Sequence, residues 1–257
     1  MTKLSAMEIV QRARSDNKIT GLEIIHQLMP DFMELHGDRA GGDDPAIIGG
    51  IATFNGRPVT VITTDRGQTA TEKIAKHFGS PMPSGYRKAL RLIKQAGKFN
   101  RPVICLVNTA GAFPSQEAEE QGQGAAIAQN IYQISQLPVP IITVIYGEGG
   151  SGGALALACG DEVWMLEHST YSVLSPEGFA SILWKDSSKA AEAAEVMQMT
   201  PEALLKQNII EGIIPEKRDH QATCQQIEQV LMTELVKLQK LSATELLKKR
   251  QARYRKF

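Results

Sequence analysis

The stretch VPIITVIYGEGGSGGALALACG, residues 139–160, decides how this chain folds. It opens at Pro140, runs apolar and β-branched through residues 141–145, and then breaks into Gly147, Gly149, Gly150, Gly152 and Gly153. A β-branched run bounded by turn residues predicts a buried strand. The small Ala and Leu residues that follow predict a short helix. At such a junction the first N–H groups of the helix lack intrahelical partners and point at whatever sits there. Glycine lets a ligand approach that backbone closely. Two such N–H groups can stabilise negative charge forming on a carbonyl oxygen. Gly152 and Gly153, at the helix entrance, are the natural donors. Gly149, Gly150 and Ser151 are candidate substrate-binding residues beside them.

The same pattern occurs twice upstream, in RPVTVITTDRG (57–67) and RPVICLVNTAGA (101–112). Each begins with Pro, runs β-branched and ends in a polar or small-residue turn. The second ends at Gly111 and Ala112, which can also expose backbone N–H groups, although a plain strand-to-helix loop reads the same way. Helical periodicity fills the intervals at 86–98 and 117–136, and further strand-like runs lie at 162–166 and 171–174. Asn55-Gly56, between two strand-like runs, predicts a hairpin, because both turn positions want positive φ. This alternation is an α/β chain: either a doubly wound sheet or a superhelix of strand-and-helix repeats. Periodicity alone does not separate the two.

Residues 1–36 read as helical, with Ile9, Val10, Ala13, Leu22, Ile25, Leu28 and Met29 at helical spacing and Thr20 as a cap. Residues 37–45 form a Gly/Asp-rich turn. From residue 187 the chain reads mostly helical, with Pro201 after a Thr200 cap. Cys224, Ile227, Val230, Leu231, Leu235 and Leu238 make an apolar stripe expected to pack on its own domain. The tail LLKKRQARYRKF (246–257) reads as a solvated helix end whose cations suit the macrodipole, with docking to an acidic partner as the alternative.

Composition removes several function classes. Twenty-eight Lys and Arg balance 28 Asp and Glu, which argues against a nucleic-acid partner. Aromatic residues at 5% leave little for base stacking. No apolar run reaches the roughly 20 residues of a membrane helix, and the N-terminus lacks the apolar core of a secretory signal. Cys105, Cys159 and Cys224 have neither disulfide-framework nor zinc-site spacing, so a cytoplasmic location and small-hydrophobe roles are expected. His26, His36, His77, His168 and His220 show no metal spacing either. Arg87, Lys88 and Arg91 share a helix face that either meets an anionic ligand or is solvated.

Two other motifs overlap the glycine run. Gly147, Gly149 and Gly152 satisfy G-x-G-x-x-G with Glu167 downstream, but the helix is short for a dinucleotide crossover. Gly149 to Gly153 also satisfies G-x-S-x-G, with Ser151 as nucleophile and His168, Asp161 or Asp186 as partners, although their order and spacing are cramped.

GEGGSGGAL, the string STYSVLSPEGFASILWKD (169–186), FGSPMPSGYRKALRLIKQA (78–96) and ELHGDRA (34–40) together resemble the alpha subunits of bacterial acetyl-CoA carboxylase carboxyltransferases, over roughly residues 30–215. The resemblance implies a crotonase-like superhelix of repeated strand-strand-helix units, with helical extensions at 1–36 and 216–257 around a core at 37–215. It implies transfer of a carboxyl group from carboxybiotin, held on a biotin carboxyl carrier protein, to acetyl-CoA, giving malonyl-CoA for fatty acid synthesis. It implies an α2β2 assembly with a beta subunit that carries the zinc, and biotin carboxylase in the full complex. Gly152 and Gly153 match the family's oxyanion glycines, and Gly111 and Ala112 match its other glycine turn. Arg87 and Lys88 are candidates to contact substrate. A stand-alone acyl-CoA enzyme or a Ser151 hydrolase is the alternative. The chain departs from the family pattern at Asn108, Ala110, Phe113 and Ser115, at Gln121, Ala125 and Gln129, at 64–67, and at 217–220.

Overall fold

The computed structural model describes residues 4–257; the first three residues of the expected N-terminal helix lie outside it. Two short helices, α1 (Ala6–Ala13) and α2 (Gly21–Leu28), are each closed by a capping box, from Ser5 with Glu8 and from Thr20 with Glu23. The expected helical run then ends early, in a two-residue strand β1 (Met33–Glu34).

β2 (Ile47–Phe54) and β3 (Arg57–Thr64) form the hairpin expected at Asn55-Gly56, whose φ values are 49° and 73°. A short helix α3 (Ala70–Ala75) leads to α4 (Pro83–Lys98), and β4 (Val103–Thr109) follows. The helix expected over 117–136 is two helices, α5 (Gln116–Glu120) and α6 (Gln123–Ser135), broken at Gly122 with φ 84°. β5 (Ile141–Gly150) runs directly into α7 (Ser151–Leu155). Then come β6 (Glu162–Leu166), β7 (Thr170–Ser172), α8 (Pro176–Trp184), α9 (Ala190–Val196) and α10 (Pro201–Lys206). A short strand that periodicity did not reveal, β8 (Gly212–Ile214), precedes α11 (His220–Leu238) and α12 (Ala243–Tyr254).

The strands form one sheet in the order β1-β2-β3-β4-β5-β6-β8, with β7 pairing β5. The three Pro-led strands lie side by side and parallel, so their C-terminal turns gather at one edge. Side chains alternate between two cores, as the period of a strand requires. Cys105, Val107, Ile141 and Ile145 face α4, α6 and α7. Ile104, Leu106, Ile142 and Val144 face the opposite way, onto Ile24, Ile25 and Met29 of α2 and Ile227, Leu231 and Leu235 of α11. The apolar stripe at 224–238 therefore packs on this chain's own sheet.

The basic tail departs from the solvated-end reading at Arg250 and Arg253. Arg250 is 1% exposed; its guanidinium grips Asp161 at 2.6 and 2.9 Å and bonds the carbonyls of Ile134, Leu137 and Val139. Arg253 holds Glu211, Tyr254 bonds the carbonyls of Ala158 and Gly160, and Lys256 bonds that of Asn208. Arg250 and Arg253 serve as internal clamps, whereas Lys248, Lys249, Arg255 and Lys256 are exposed, so the solvated-end reading fails only for the first two.

Candidate active site

The end of β5 sets the first half of the site. All ten residues of β5 are buried, and Gly149 and Gly150 are paired with Tyr171 and Ser172 of β7. These two glycines thus belong to the sheet, where a Cβ on Gly150 would overlap the Ala110 carbonyl. Ser151 then enters α7 with a left-handed φ of 55° and its side chain exposed. No side chain caps α7, so the amides of Gly152 and Gly153 remain at an uncapped helix start. Gly152 is half-buried and has room: a Cβ there would meet only Ile127, at 3.5 Å.

The end of β4 sets the second half. The Thr109 hydroxyl accepts from the Gly111 amide at 3.1 Å and donates to the Gly111 carbonyl at 2.9 Å. That leaves Ala112 as the candidate donor of this turn. The two turns singled out separately in the sequence touch each other. A Cβ on Gly153 would overlap the Ala112 amide nitrogen and lie 2.7 Å from both the Gly111 carbonyl carbon and the Tyr86 hydroxyl. Phe113 anchors the turn through its amide to the Pro81 carbonyl, and its ring stacks on His77 at 4.1 Å.

Charged groups missed in the sequence brace the glycine strand. Glu148 is 8% exposed and receives Arg14 at 2.7 Å and Arg66 at 3.2 Å. Arg14 also grips Glu177 with both terminal nitrogens. Burial alone would pull the Arg14 pKa down, but the two carboxylates outweigh it and hold it above its usual range. The signal was inside the motif itself, as the one charge in GEGGSGG. Asn108 joins this frame, its side chain accepting from the Glu148 amide at 2.9 Å. Beyond lies a polar cleft of about 590 Å³, lined by Arg14, Lys18, Arg66, Lys73, Arg218 and Asn108 among others.

The helix face carrying Arg87, Lys88 and Arg91 is engaged internally. Arg87 holds Asp38 at 2.7 Å, and Arg91 bonds the Gly37 carbonyl. Lys88 is 1% exposed, with Nζ on Asp43 and on the Asp44 carbonyl. Its candidacy as a substrate contact is therefore corrected: burial places it as the anchor of the loop at 37–44. A carboxylate-based triad on Ser151 is not assembled. His168 faces Arg12 and Glu216, Asp161 is held by Arg250, and Asp186 caps a turn at Ser188. The dinucleotide reading fails likewise, since α7 spans five residues and Glu167 accepts from the Glu216 amide. All three thiols are buried and lack nucleophilic character; burial raises Cys159 to about 12 and Cys224 to about 11. Among the described residues, no three His, Cys, Asp or Glu side chains are arranged to hold a metal ion.

The glycine turns converge beside an uncapped helix start at one edge of a mixed sheet, parallel from β3 onward, in an α/β fold of crotonase-like type. Solved structures share it. A transcarboxylase 12S structure with methylmalonyl-coenzyme A and methylmalonic acid bound superposes with a TM-score of 0.71 over 89% of this chain, at 20% identity. The beta subunit of geranyl-CoA carboxylase from P. aeruginosa gives 0.66 at 18% identity. The chain spans 44% of the length of each. Sequence relatives cover it fully. The acetyl-coenzyme A carboxylase carboxyl transferase subunit alpha of Streptococcus sanguinis is 50% identical, with 100% of both chains covered. That of Halalkalibacterium halodurans is 52% identical over 99% of this chain and 80% of its own. The model of the acetyl co-enzyme A carboxylase carboxyltransferase-like family matches residues 1–257. The chain belongs to that family and is an enzyme chain of carboxyltransferase type.

Proposed function

We propose that the chain is the alpha subunit of an acetyl-CoA carboxylase carboxyltransferase, acting with a beta subunit to make malonyl-CoA. The observation that carries the site assignment is the contact between the two glycine turns, with the Gly152 and Gly153 amides uncapped beside Ala112. Carboxyl transfer to an acetyl thioester puts negative charge on a thioester oxygen and on a ureido oxygen. Both need N–H donors already in place where the charge develops. The carboxyl group and the base both come from carboxybiotin on a carrier protein, so the chain needs no nucleophile of its own. Gly152 and Gly153 stabilise the developing oxyanion, and Ala112 completes the turn opposite. Ser151, with its exposed side chain, lies at the mouth, and Arg87 stands behind the 111–121 loop through the Gln121 carbonyl.

The wider assembly follows the same reading: an α2β2 carboxyltransferase whose beta subunit carries the zinc, served by the biotin carrier and biotin carboxylase. Val173, Ile182 and Leu183 are at least 60% exposed and give the 173–184 segment an apolar face for the beta subunit. We place the enzyme in the cytoplasm; no helix among the described residues is long and apolar enough to cross a membrane. We divide it into a core at 37–215 flanked by helical segments at 1–36 and 216–257. The test is reconstitution. Mixed with a beta subunit, carboxylated biotin carrier and acetyl-CoA, the chain is expected to yield malonyl-CoA. Alone, it is expected neither to turn over acyl-CoA esters nor to label at Ser151 with a fluorophosphonate. Labelling, or turnover without beta, overturns the reading.

A further inference from the structure

Tyr86 sits in the first turns of α4 and is fully buried. Its ring packs with Ala126 and Ala156, and Ala112 and Ile127 close the cluster. The hydroxyl has no hydrogen-bond partner. A buried hydroxyl left unpaired lowers stability, and a Phe in the same place would fill the same volume without that cost. Such a group in an apolar nest needs a reason. Its position supplies one. The hydroxyl lies 2.7 Å from the point where a Gly153 Cβ would stand, on the side of Gly153 that faces the Gly111–Ala112 peptide. The hydroxyl thus stands at the junction of the two turns.

Resting on the reading of these turns as the oxyanion site, we propose that Tyr86 is a positioning residue for that site. Its hydroxyl donates to the Gly111 carbonyl once ligand engages the Ala112 amide. The Gly111 oxygen has two lone pairs, and the Thr109 hydroxyl occupies one at 2.9 Å. A second donor on the carbonyl side polarises the peptide and strengthens the N–H on its other side. The Ala112 amide thereby becomes a better donor at the moment charge develops on the ligand. In the free chain the hydroxyl waits unpaired; the bond forms when ligand loads and strengthens as charge develops, so it raises turnover more than ground-state binding. The phenol stays neutral throughout: burial and the nearby Asp44 carboxylate both push its ionisation far above the usual range.

The test is Tyr86→Phe in the reconstituted complex with beta subunit and biotin carrier. Turnover is expected to fall roughly tenfold, the worth of one hydrogen bond in the transition state. KM for acetyl-CoA is expected to stay the same, and the melting temperature to stay level or rise. Wild-type turnover in the variant overturns the proposal, and so does a loss of turnover that tracks a loss of stability or assembly. A second readout needs no variant activity. In wild-type chain labelled at the tyrosine ζ-carbon, only five resonances are present. The Tyr86 signal is expected to shift when free biotin is added to the assembled complex, and an unmoved signal counts against the proposal. A wild-type complex that makes no malonyl-CoA would instead overturn the functional reading itself.

Discussion

Gly153 and Ala112, forty-one positions apart, are in backbone contact: there is no room for a Cβ between them. This contact ties the end of β5 to the end of β4 and fixes the spacing of the two turns. It also separates the two adjacent glycines by consequence. At Gly153 any side chain must push the turns apart, so Gly153→Ala is expected to lose both stability and transfer. At Gly152 the space is open to Ile127, so Gly152→Val is expected to assemble and melt like the parent. Its transfer rate should nonetheless drop by roughly 10²-fold, because the added isopropyl group keeps the developing oxyanion from reaching the retained backbone N–H. Malonyl-CoA formation near the parent rate by Gly152→Val would remove this residue from the site.

Arg250 and Asp161 make the deepest ion pair among the described residues, 1% and 0% exposed at the side chain. Breaking such a pair leaves a buried charge without compensation. Arg250→Ala is expected to cost about 3–5 kcal/mol in urea unfolding. Replacing both partners together, Arg250→Met with Asp161→Leu, should recover only part of that, because the Ile134, Leu137 and Val139 carbonyls and the Ile141 amide also lose their partners. Truncation after Leu247 should behave like Arg250→Ala and not like the loss of a docking tail. A truncated chain that unfolds at the parental urea midpoint would contradict the clamp.

The loop at 37–44 should be released by acid. Burial tends to raise the Asp38 and Asp43 carboxyls, but backbone amides, Arg87 and Lys88 outweigh it and hold both below their ordinary value of 3.8. Groups with depressed folded pKa values contribute stability above their ordinary pKa, and that stability is lost as pH falls through the folded value. Hydrogen exchange of residues 37–44 is therefore expected to be slow at pH 5 and above and to quicken below about pH 4. Lys88→Met should show faster exchange already at neutral pH. Exchange rates independent of pH, beyond the intrinsic chemistry, would speak against the clamp.

Leu183→Lys, on the exposed face of α8, should weaken association with a beta subunit while leaving the melting temperature within about 1 °C of the parent, as expected for a surface change. An unchanged binding isotherm would move the interface elsewhere.

Much of this was legible in the sequence, and for local reasons. The Asn55-Gly56 turn, the three Pro-led strands and both glycine turns are short-range patterns set by φ preference and side-chain alternation. The meeting of Gly153 with Ala112 was not, because it depends on β4 and β5 lying parallel and adjacent. Lys88 and Arg250 misled for a related reason. A basic residue in a polar helical stretch looks solvated unless its carboxylate is visible, and their partners lie 45 and 89 positions away. The short strands β1 and β8 carry too few residues to show a period.

The Arg250 clamp also orders events during synthesis. Asp161 leaves the ribosome 89 residues before the guanidinium that neutralises it. Until then, closing the strand ends around Asp161 would strand a charge in an apolar interior. The sheet can therefore assemble as the chain emerges, but its final closure waits for Arg250 of α12. Docking of α12 onto the strand ends is thus the step that seals the sheet around Asp161.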